Sequence, residues 1–297
     1  MSVLPAPLDT GSAAVVGRSV PAEKHRRGVG GKVAVLILIV VAFTMISPFL
    51  WDGMAATKET QIAFANPPQF LYSPNLQAFI DLWQTTDFFK YVINTTVIAI
   101  GSVLVSLVFA APAAYALSRY DRRISALLLV LALIFRSLPR FAVALPFYDF
   151  AKVLGIYDTK LALVVAFVAL NQPFTLWLLR NFFAEIPREL DEAAMVDGCT
   201  RFTAFRRIIL PLMGPGLVTA GIFTFLLAFQ EYLVALVLSD VDSKTIPVFL
   251  AGQIGQTLPL LQQASAATTL LALPVFLVAF VAQRFLVAGL TGGSVKG

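Results

Sequence analysis

Polar side chains inside long apolar runs are the groups in this sequence best placed to do chemistry. A charged or amide group is costly in lipid, so such groups usually line a path for polar solutes or pair with one another. Arg136 and Arg140 are four residues apart, a spacing that puts two side chains on one helical face, and Glu231 is a candidate partner for them. The chemistry would be hydrogen bonding and ion pairing. The candidate path residues are Arg136, Arg140, Asn171, Gln172, Gln230 and Glu231.

The same groups have a structural alternative, in which they hydrogen-bond one helix to another or extend to the membrane surface. Two prolines favour a path, because Pro139 and Pro173 would unwind a membrane helix locally and free backbone groups to line it. Both interpretations stay open from the residues alone.

Other kinds of chemistry are excluded by residue type. His25 is the only histidine and Cys199 the only cysteine, so a His/Cys metal cluster and an intramolecular disulfide cannot form. A phosphate-binding G-x4-G-K-[ST] loop does not occur, since Gly31-Lys32-Val33 lacks the first glycine and the hydroxyl residue. We therefore expect no cofactor on this chain.

The elements that must position the polar groups are membrane helices. Hydrophobic residues make up 58% of the chain and charged residues 13%, which is typical of a protein embedded in lipid. Runs of about 20 apolar residues suffice to span a membrane, and strands would need a strict alternation that is absent. We predict an all-α, polytopic fold with six transmembrane helices at 33–51, 92–117, 126–148, 161–180, 215–239 and 266–290.

The distribution of Lys and Arg predicts the orientation, because basic loops stay in the cytoplasm. The N-terminal segment, the 118–125 loop, the 180–207 loop and the C-terminal end hold fifteen such residues, whereas the other three loops hold five. Both termini are expected on the cytoplasmic side of a bacterial inner membrane. This bias accounts for the net charge of +5, which gives no reason to expect nucleic acid as a partner.

The basic 180–207 loop carries a motif of closely spaced residues that continues to Pro211. Glu192-Ala193-Ala194 is followed by Gly198 and then by Ile208-x-Leu210-Pro211, which gives E-A-A-x3-G-x9-I-x-L-P. Alanine favours a helix that lies close to another surface, and glycine lets the backbone turn sharply. The motif predicts two short helices joined at Gly198, forming a compact docking surface. An ordinary amphipathic connector is the alternative.

This pattern resembles the loop by which membrane subunits of bacterial ABC importers engage their ATPase. From the first span onward the chain resembles the MalG-like permease subunits of carbohydrate-type importers. The stretches that carry the resemblance are Tyr91–Arg119, Leu154–Thr159, Asn171–Phe183, Ile186–Leu190 and the tail Gly289–Gly297. The sequence departs from the family pattern at Phe229-Gln230-Glu231-Tyr232 and at Leu138-Pro139-Arg140, which leaves the solute undetermined.

The resemblance implies a type I (MetI-like) permease architecture and a function in ATP-driven import of a sugar or sugar-like solute. The implied partners are a second homologous permease subunit, an ATPase dimer that binds ATP and Mg, an external solute-binding protein and membrane lipid. It also implies ATPase-coupling residues, with Glu192 as the first contact and Gly198 as the hinge. The full set is Glu192, Ala193, Ala194, Asp197, Gly198, Leu210 and Pro211, with a second contact in the tail at Ser294, Val295, Lys296 and Gly297.

Three other functions stay open. The same machinery would serve a polyol, glycerol phosphate or peptide, and Arg136 and Arg140 would help an anionic solute. A membrane-embedded glycosyl- or lipid-modifying enzyme would need clustered carboxylates at the interface, and a channel subunit would have no energy coupling. We divide the chain into a flexible cytoplasmic extension at 1–31 and a permease domain at 32–297, whose coupling loop is 181–212.

Overall fold

The computed structural model describes residues 29–253 and 257–291, and its regular elements within these ranges are all helical. The predicted tail contact at Ser294–Gly297 and nearly all of the predicted extension lie outside the described residues. The longer helices are α1 (Val29–Ala56), α4 (Phe88–Arg119), α5 (Arg122–Arg136), α6 (Arg140–Val153), α7 (Lys160–Glu185), α11 (Gly214–Phe229) and α14 (Leu258–Thr291). The shorter ones are α2 (Thr60–Ala63), α3 (Gln77–Thr85), α8 (Glu189–Val196), α9 (Arg201–Ala204), α10 (Leu210–Leu212), α12 (Leu233–Leu238) and α13 (Ile246–Gln253), with a π-turn at Phe205–Ile209.

Among the described residues, four helices are long and apolar enough to cross a membrane. They comprise Gly31–Ala56, Phe88–Arg119, Lys160–Glu185 and Leu258–Gln283. Two further pairs of helices qualify only together: α5 with α6, bent by 86°, and Arg201–Leu212 with α11, bent by 76°. The described residues thus provide up to six candidate crossings if each bent pair counts as one. The predicted all-helical, polytopic fold class is confirmed.

The predicted third span is not a single straight helix. The helix α5 ends at Arg136, with Ser137 as its C-cap, and Pro139 directly precedes α6. The helix cannot continue through Pro139 because proline has no N–H to donate to the preceding turn. Arg136 is therefore the last residue of one helix and Arg140 the first of the next. The expectation that they share one helical face was wrong.

Two other helix expectations need correction. Pro173 does not unwind its span, since α7 runs without a break through this buried proline. In the opposite sense, the run predicted at 215–239 is interrupted, because α11 ends at Phe229 and α12 begins at Leu233. The 16 residues of α11 span only about 24 Å, which is shorter than the apolar core of a bilayer.

The chain divides into two units between Ser47 and Pro48. In the first unit, the hydroxyls of Thr44 and Ser47 donate to the carbonyls of Val40 and Thr44, each at 2.9 Å, which satisfies these polar groups within their own helix. In the second unit, α4 and α7 pack closely, with α11 against both. Small residues permit this approach: a Cβ added at Gly101 of α4 would lie 3.1 Å from Cγ2 of Val164 in α7.

Candidate docking segment and polar groups of the spans

The segment that carries the E-A-A motif folds as two short helices joined by a sharp turn. After α8 the chain turns at Gly198, whose φ of +86° lies in the region that glycine adopts without cost. The N–H groups of Gly198 and Cys199 bond back to Met195 and Ala194 at 3.1 and 2.9 Å. The Thr200 hydroxyl then accepts the N–H of Thr203 at 3.2 Å and caps α9. The predicted helix pair is therefore present.

One buried carboxylate ties this segment to the end of α4. Asp191 in α8 is 8% exposed; it accepts Arg119 Nε at 2.7 Å and the Tyr115 hydroxyl at 2.6 Å. Arg119 also donates through Nη1 to the Phe183 carbonyl in α7 at 3.1 Å. Since charge-assisted hydrogen bonds are strong when water is excluded, α8 is attached to both α4 and α7.

Sequence reasoning missed this anchor. Arg119 and Asp191 are 72 positions apart, so only the fold brings them together. The available signal was their shared side of the membrane: Arg119 ends one predicted span, and Asp191 lies in the basic loop predicted on the same side.

An aromatic cluster reinforces the attachment. Phe205, at the start of the π-turn, is 8% exposed, and its ring centroid lies 4.9 Å from that of Tyr115 and 6.3 Å from that of Phe183. Ile209, one turn later, is fully buried. The segment therefore packs onto the ends of α4 and α7 through apolar contacts as well as the ion pair.

Several large apolar side chains of the segment are exposed, and one of them, Met195, lies beside Tyr115, Arg119 and Asp191 in a cleft. Val196 is 87% exposed and Phe202 is 70% exposed, with Leu190 and Met195 also open. We call these four side chains the docking surface: Leu190, Met195, Val196 and Phe202. None of the four was among the predicted contact residues. Several exposed large apolar side chains in one short segment are more typical of an interaction site than of an ordinary surface.

The predicted coupling residues take different positions around this surface. Most are exposed or partly exposed: Glu192, Ala193, Asp197, Gly198, Leu210 and Pro211. Ala194, by contrast, is 2% exposed and packs inside the chain, so it supports the segment from within. Ala193 is left to face outward.

The six predicted path residues do not form one cluster. Arg140 Nη1 lies 3.2 Å from Glu231 Oε2, so the expected pairing with Glu231 is present for Arg140. Arg136 instead lies over the Phe174 ring, 5.0 Å from its centroid. Glu231 is 9% exposed, and its Oε1 accepts the N–H of Val234 at 3.3 Å, which caps the start of α12.

The three amides have different surroundings. Gln172 exchanges hydrogen bonds with Ser106, accepting its hydroxyl at 2.6 Å and donating to its carbonyl at 3.3 Å, which joins α7 to α4. Asn171 is 1% exposed, and neither polar atom of its side chain has a hydrogen-bond partner among the described residues. Gln230 is exposed. Gln172 thus follows the helix-to-helix alternative, while Asn171 and Gln230 remain available to another group.

A second carboxylate organises the loop between α12 and α13. The two Asp158 oxygens accept the N–H groups of Asp240, Val241, Asp242 and Ser243 at 2.9 to 3.0 Å, and the Ser243 hydroxyl at 2.8 Å. Partial burial raises the pKa of the Asp158 carboxyl, but these donors outweigh it and hold the pKa well below its ordinary value. Asp158 therefore stays charged and fixes the loop.

In the described part of the chain, no three His, Cys, Asp or Glu side chains lie close enough together to bind a metal ion. In the segment from α8 to the π-turn, which we call the docking segment, Asp191 pairs with Arg119. Its exposed charged residues include Glu189, Glu192, Arg201, Arg206 and Arg207, an arrangement suited to contact with another protein.

Comparison with known proteins adds the following findings. Residues 102–292 match the family described as "Binding-protein-dependent transport system inner membrane component". The chain is similar to a probable ABC transporter permease protein, y4oR, of Sinorhizobium fredii, with 38% identity over 88% of this chain and 94% of the relative. It is also similar to the diacetylchitobiose uptake system permease protein DasC of Streptomyces coelicolor, with 32% identity over 92% of this chain and 100% of the relative.

A solved structure shares the fold. It is the crystal structure of a bacterial ABC transporter involved in the import of the acidic polysaccharide alginate, which superimposes with a TM-score of 0.70. The match covers 89% of this chain and 99% of that chain at 22% identity.

Proposed function

This chain belongs to the family of binding-protein-dependent transport system inner membrane components, and we propose that it moves a sugar or sugar-like solute across the bacterial inner membrane. It is the permease component of an ABC importer, and the predicted resemblance to sugar permeases is confirmed. In our proposal an external binding protein delivers the solute, and a second permease subunit completes the pathway. An ATPase dimer binds ATP and Mg, so this chain carries out no bond chemistry.

The observation that carries the proposal is the docking surface on an anchored helix pair. Val196 and Phe202 expose apolar area that a protein partner would cover, and the exposed Glu192 beside them would meet a basic group of that partner. Gly198 shapes the pair. An ATPase that bound here would hold a segment already attached to two spans.

The attachment suggests how force would travel. Closure of an ATPase dimer would pull the docking segments of two permease subunits together, and in this chain Asp191 and Phe205 would transmit the movement to α4 and α7. Because these two helices pack tightly along their length, they would tilt as one body. Such rigid-body rocking between inward-open and outward-open states is the motion that alternating access needs.

A neutral solute suits the polar groups of the spans better than an anion. The charge of Arg140 is neutralised by Glu231, and Asn171 and Gln230 offer amides that hydrogen-bond equally to hydroxyl donors and acceptors. Arg136 remains as a cation, but its guanidinium lies over a ring. The relative from Streptomyces coelicolor is named for uptake of a sugar, which supports the same class here.

The orientation follows from the basic residues. We propose that both termini and the docking segment lie in the cytoplasm, where ATP is, because the basic loops lie on that side. The tail at Ser294–Gly297 would then reach the ATPase as a second contact.

The test is to isolate this chain from native membranes in mild detergent and identify every retained protein by mass spectrometry. We expect an ATPase and a second permease with the wild type, and loss of the ATPase with Val196→Lys, which would place a charge in the covered surface. Val241→Lys is the matched control, since Val241 is also exposed (62%) but lies in the loop fixed by Asp158.

Uptake of radiolabelled trehalose and diacetylchitobiose into cells with and without this chain tests the solute class. Retention of the ATPase by Val196→Lys would contradict the docking surface. Uptake of anionic solutes in place of these sugars would contradict the solute class while leaving the importer assignment intact.

A further inference from the structure

Lys58, in the turn after α1, is buried without an ionic partner. It is 3% exposed, and the ion pairs of the described residues join other side chains. Lysine is almost never buried this far unless it is paired, because removing an ammonium group from water is costly. The position of Lys58 therefore calls for an explanation.

Two aromatic rings hold the ammonium group. Lys58 Nζ lies 5.7 Å from the ring centroid of Trp51 and 5.1 Å from that of Tyr72, within the range of cation–π attraction. Such contacts use the charge but not the three N–H donors. Among the described residues, no acceptor forms a hydrogen bond with Nζ, so these donors are available to a ligand.

The backbone around Lys58 is fixed by the start of α14. The Gln262 side-chain amide donates to the carbonyls of Ala55, at 3.3 Å, and of Lys58. Its Oε1 accepts the Thr60 hydroxyl at 2.6 Å. The Tyr72 hydroxyl also bonds to that of Thr57 at 2.9 Å. These bonds set the position of Lys58 before any ligand arrives.

Lys58 lines a cavity of about 260 Å³ whose other walls are mostly polar. Glu59 and Asp81 supply carboxylates. The Oδ1 of Asp81 accepts a hydrogen bond from the side-chain amide of Gln77 at 2.7 Å, and its Oδ2 has no such bond among the described residues. Gln61 and Asn75 supply amides. The lining residues are Lys58, Glu59, Thr60, Gln61, Asn75, Gln77, Ala78, Asp81 and Gln262.

We propose that this cavity binds a neutral, hydroxyl-rich molecule of about monosaccharide size, with Lys58 Nζ donating to its oxygens and the carboxylates of Glu59 and Asp81 accepting its hydroxyls. Each hydroxyl both donates and accepts, which matches a wall that mixes free donors with free acceptors. The two carboxylates repel an anion, and Lys58 repels a cation. The inference rests on the proposed function only for the choice of a sugar as ligand.

The experiment measures binding of D-glucose, without ATP, to the whole complex purified through this chain and placed in lipid nanodiscs, by saturation-transfer NMR titration. Lys58→Met keeps the approximate length of the side chain and an apolar contact with the two rings but removes the charge and the N–H donors, so we expect about tenfold weaker binding. Asp81→Asn changes an accessible acceptor, and we expect weaker binding from it too. It serves as the second variant if Lys58→Met disturbs folding.

Lys152→Met is the matched control. Lys152 Nζ also lies over two rings, 4.5 Å from Tyr148 and 5.4 Å from Tyr157, but Lys152 is exposed and does not line this cavity. We expect its glucose affinity to equal that of the wild type. Unchanged affinity in both Lys58→Met and Asp81→Asn would overturn the proposal, and so would tighter binding of glucose 6-phosphate than of glucose.

The two proposals fail separately. Sugar uptake by the wild type together with unaltered glucose binding in the variants would remove the cavity site and leave the transport function. Glucose binding that depends on Lys58, in a complex that transports no sugar, would keep the site and remove the proposed solute class.

Discussion

Glu231 is accommodated at 9% exposure within a largely apolar helix region because its carboxylate has two partners. Arg140 lies 3.2 Å from one carboxylate oxygen, and the N–H of Val234 bonds to the other. Removing one member of a buried pair costs more than the pair contributes, since the remaining charge is left unpaired. Arg140 is itself 30% exposed, which lessens the effect through solvent screening.

We expect Arg140→Met to lower the free energy of unfolding by about 1–3 kcal/mol, measured by thermal unfolding in nanodiscs of fixed lipid composition. Arg140→Met combined with Glu231→Gln should recover part of the loss. Lys90→Met is the control, because the Lys90–Asp242 pair is 39% and 81% exposed and should contribute little to stability. Equal losses in the two single variants would contradict the role of burial.

Asp158 gives a prediction about pH. Its folded pKa lies below the ordinary 3.8, since the N–H groups it accepts outweigh the effect of burial. Its stabilising contribution is therefore complete above pH 3.8 and is lost as the pH falls below this value toward the folded pKa. Protection of the 241–243 amides from hydrogen exchange, corrected for intrinsic rates, should decline in that acid range.

Asp158→Asn should reduce the same protection about tenfold at pH 6, because a neutral amide is a weaker acceptor for four N–H groups. Asparagine tolerates the positive φ of 55° found here, so the substitution tests charge and not backbone strain. Asp149→Asn, at an exposed position in α6, is the control. Protection that falls with pH as steeply in Asp158→Asn as in the wild type would contradict the assignment.

At the level of secondary structure, the docking segment depends on one backbone turn. A Cβ at Gly198 would meet no neighbouring atom within 4 Å, so the cost of Gly198→Ala comes from its φ of +86° alone, about 1–2 kcal/mol. Gly252→Ala is the matched control, since its Cβ also meets nothing within 4 Å and it lies within the helix α13. We expect faster hydrogen exchange in α8 and α9 for Gly198→Ala only.

The presence of the long helices could be predicted from the length of the apolar runs, but the residues at which they end could not. The runs predicted at 92–117 and 161–180 lie within α4 and α7, which extend beyond them at both ends. The interruption after Phe229 arises because Glu231 bonds to the Val234 N–H and pairs with Arg140, a residue 91 positions earlier. Likewise, Pro173 is accommodated in α7 because the helix is held by its packing against α4 and α11. Tertiary partners decided both cases.

For the whole molecule, the motif located the docking segment but not its attachment. Glu192 and Gly198 stand out by spacing within a short stretch, so sequence alone could predict them as contacts to a partner. The contacts that join the segment to the spans connect Asp191 with Tyr115 and Arg119, and no local pattern specifies such a pairing. The Lys58 cavity was missed for the same reason, because its walls come from the turn after α1, from α2, from α3 with the residues before it, and from α14.

This separation between docking surface and attachment makes a prediction about coupling. Asp191→Asn weakens the bonds to Arg119 and Tyr115 but leaves Val196 and Phe202 on the outside of the segment. The ATPase should therefore stay bound, while its closure moves α4 and α7 less effectively. We expect the ATPase to be retained in detergent at the wild-type level. In proteoliposomes, we expect the ratio of the solute-stimulated rate of ATP hydrolysis to the basal rate to be about tenfold lower than in the wild type.

Val196→Lys should behave in the opposite way, with loss of the ATPase itself. The two variants together distinguish binding from transmission, because a change that only unfolds the segment would remove both properties at once. Full solute stimulation in Asp191→Asn would show that force enters the spans by another route. The packing of Phe205 against Tyr115 and Phe183 is the apolar connection to test next, and Phe205→Ala would be the variant expected to lose stimulation.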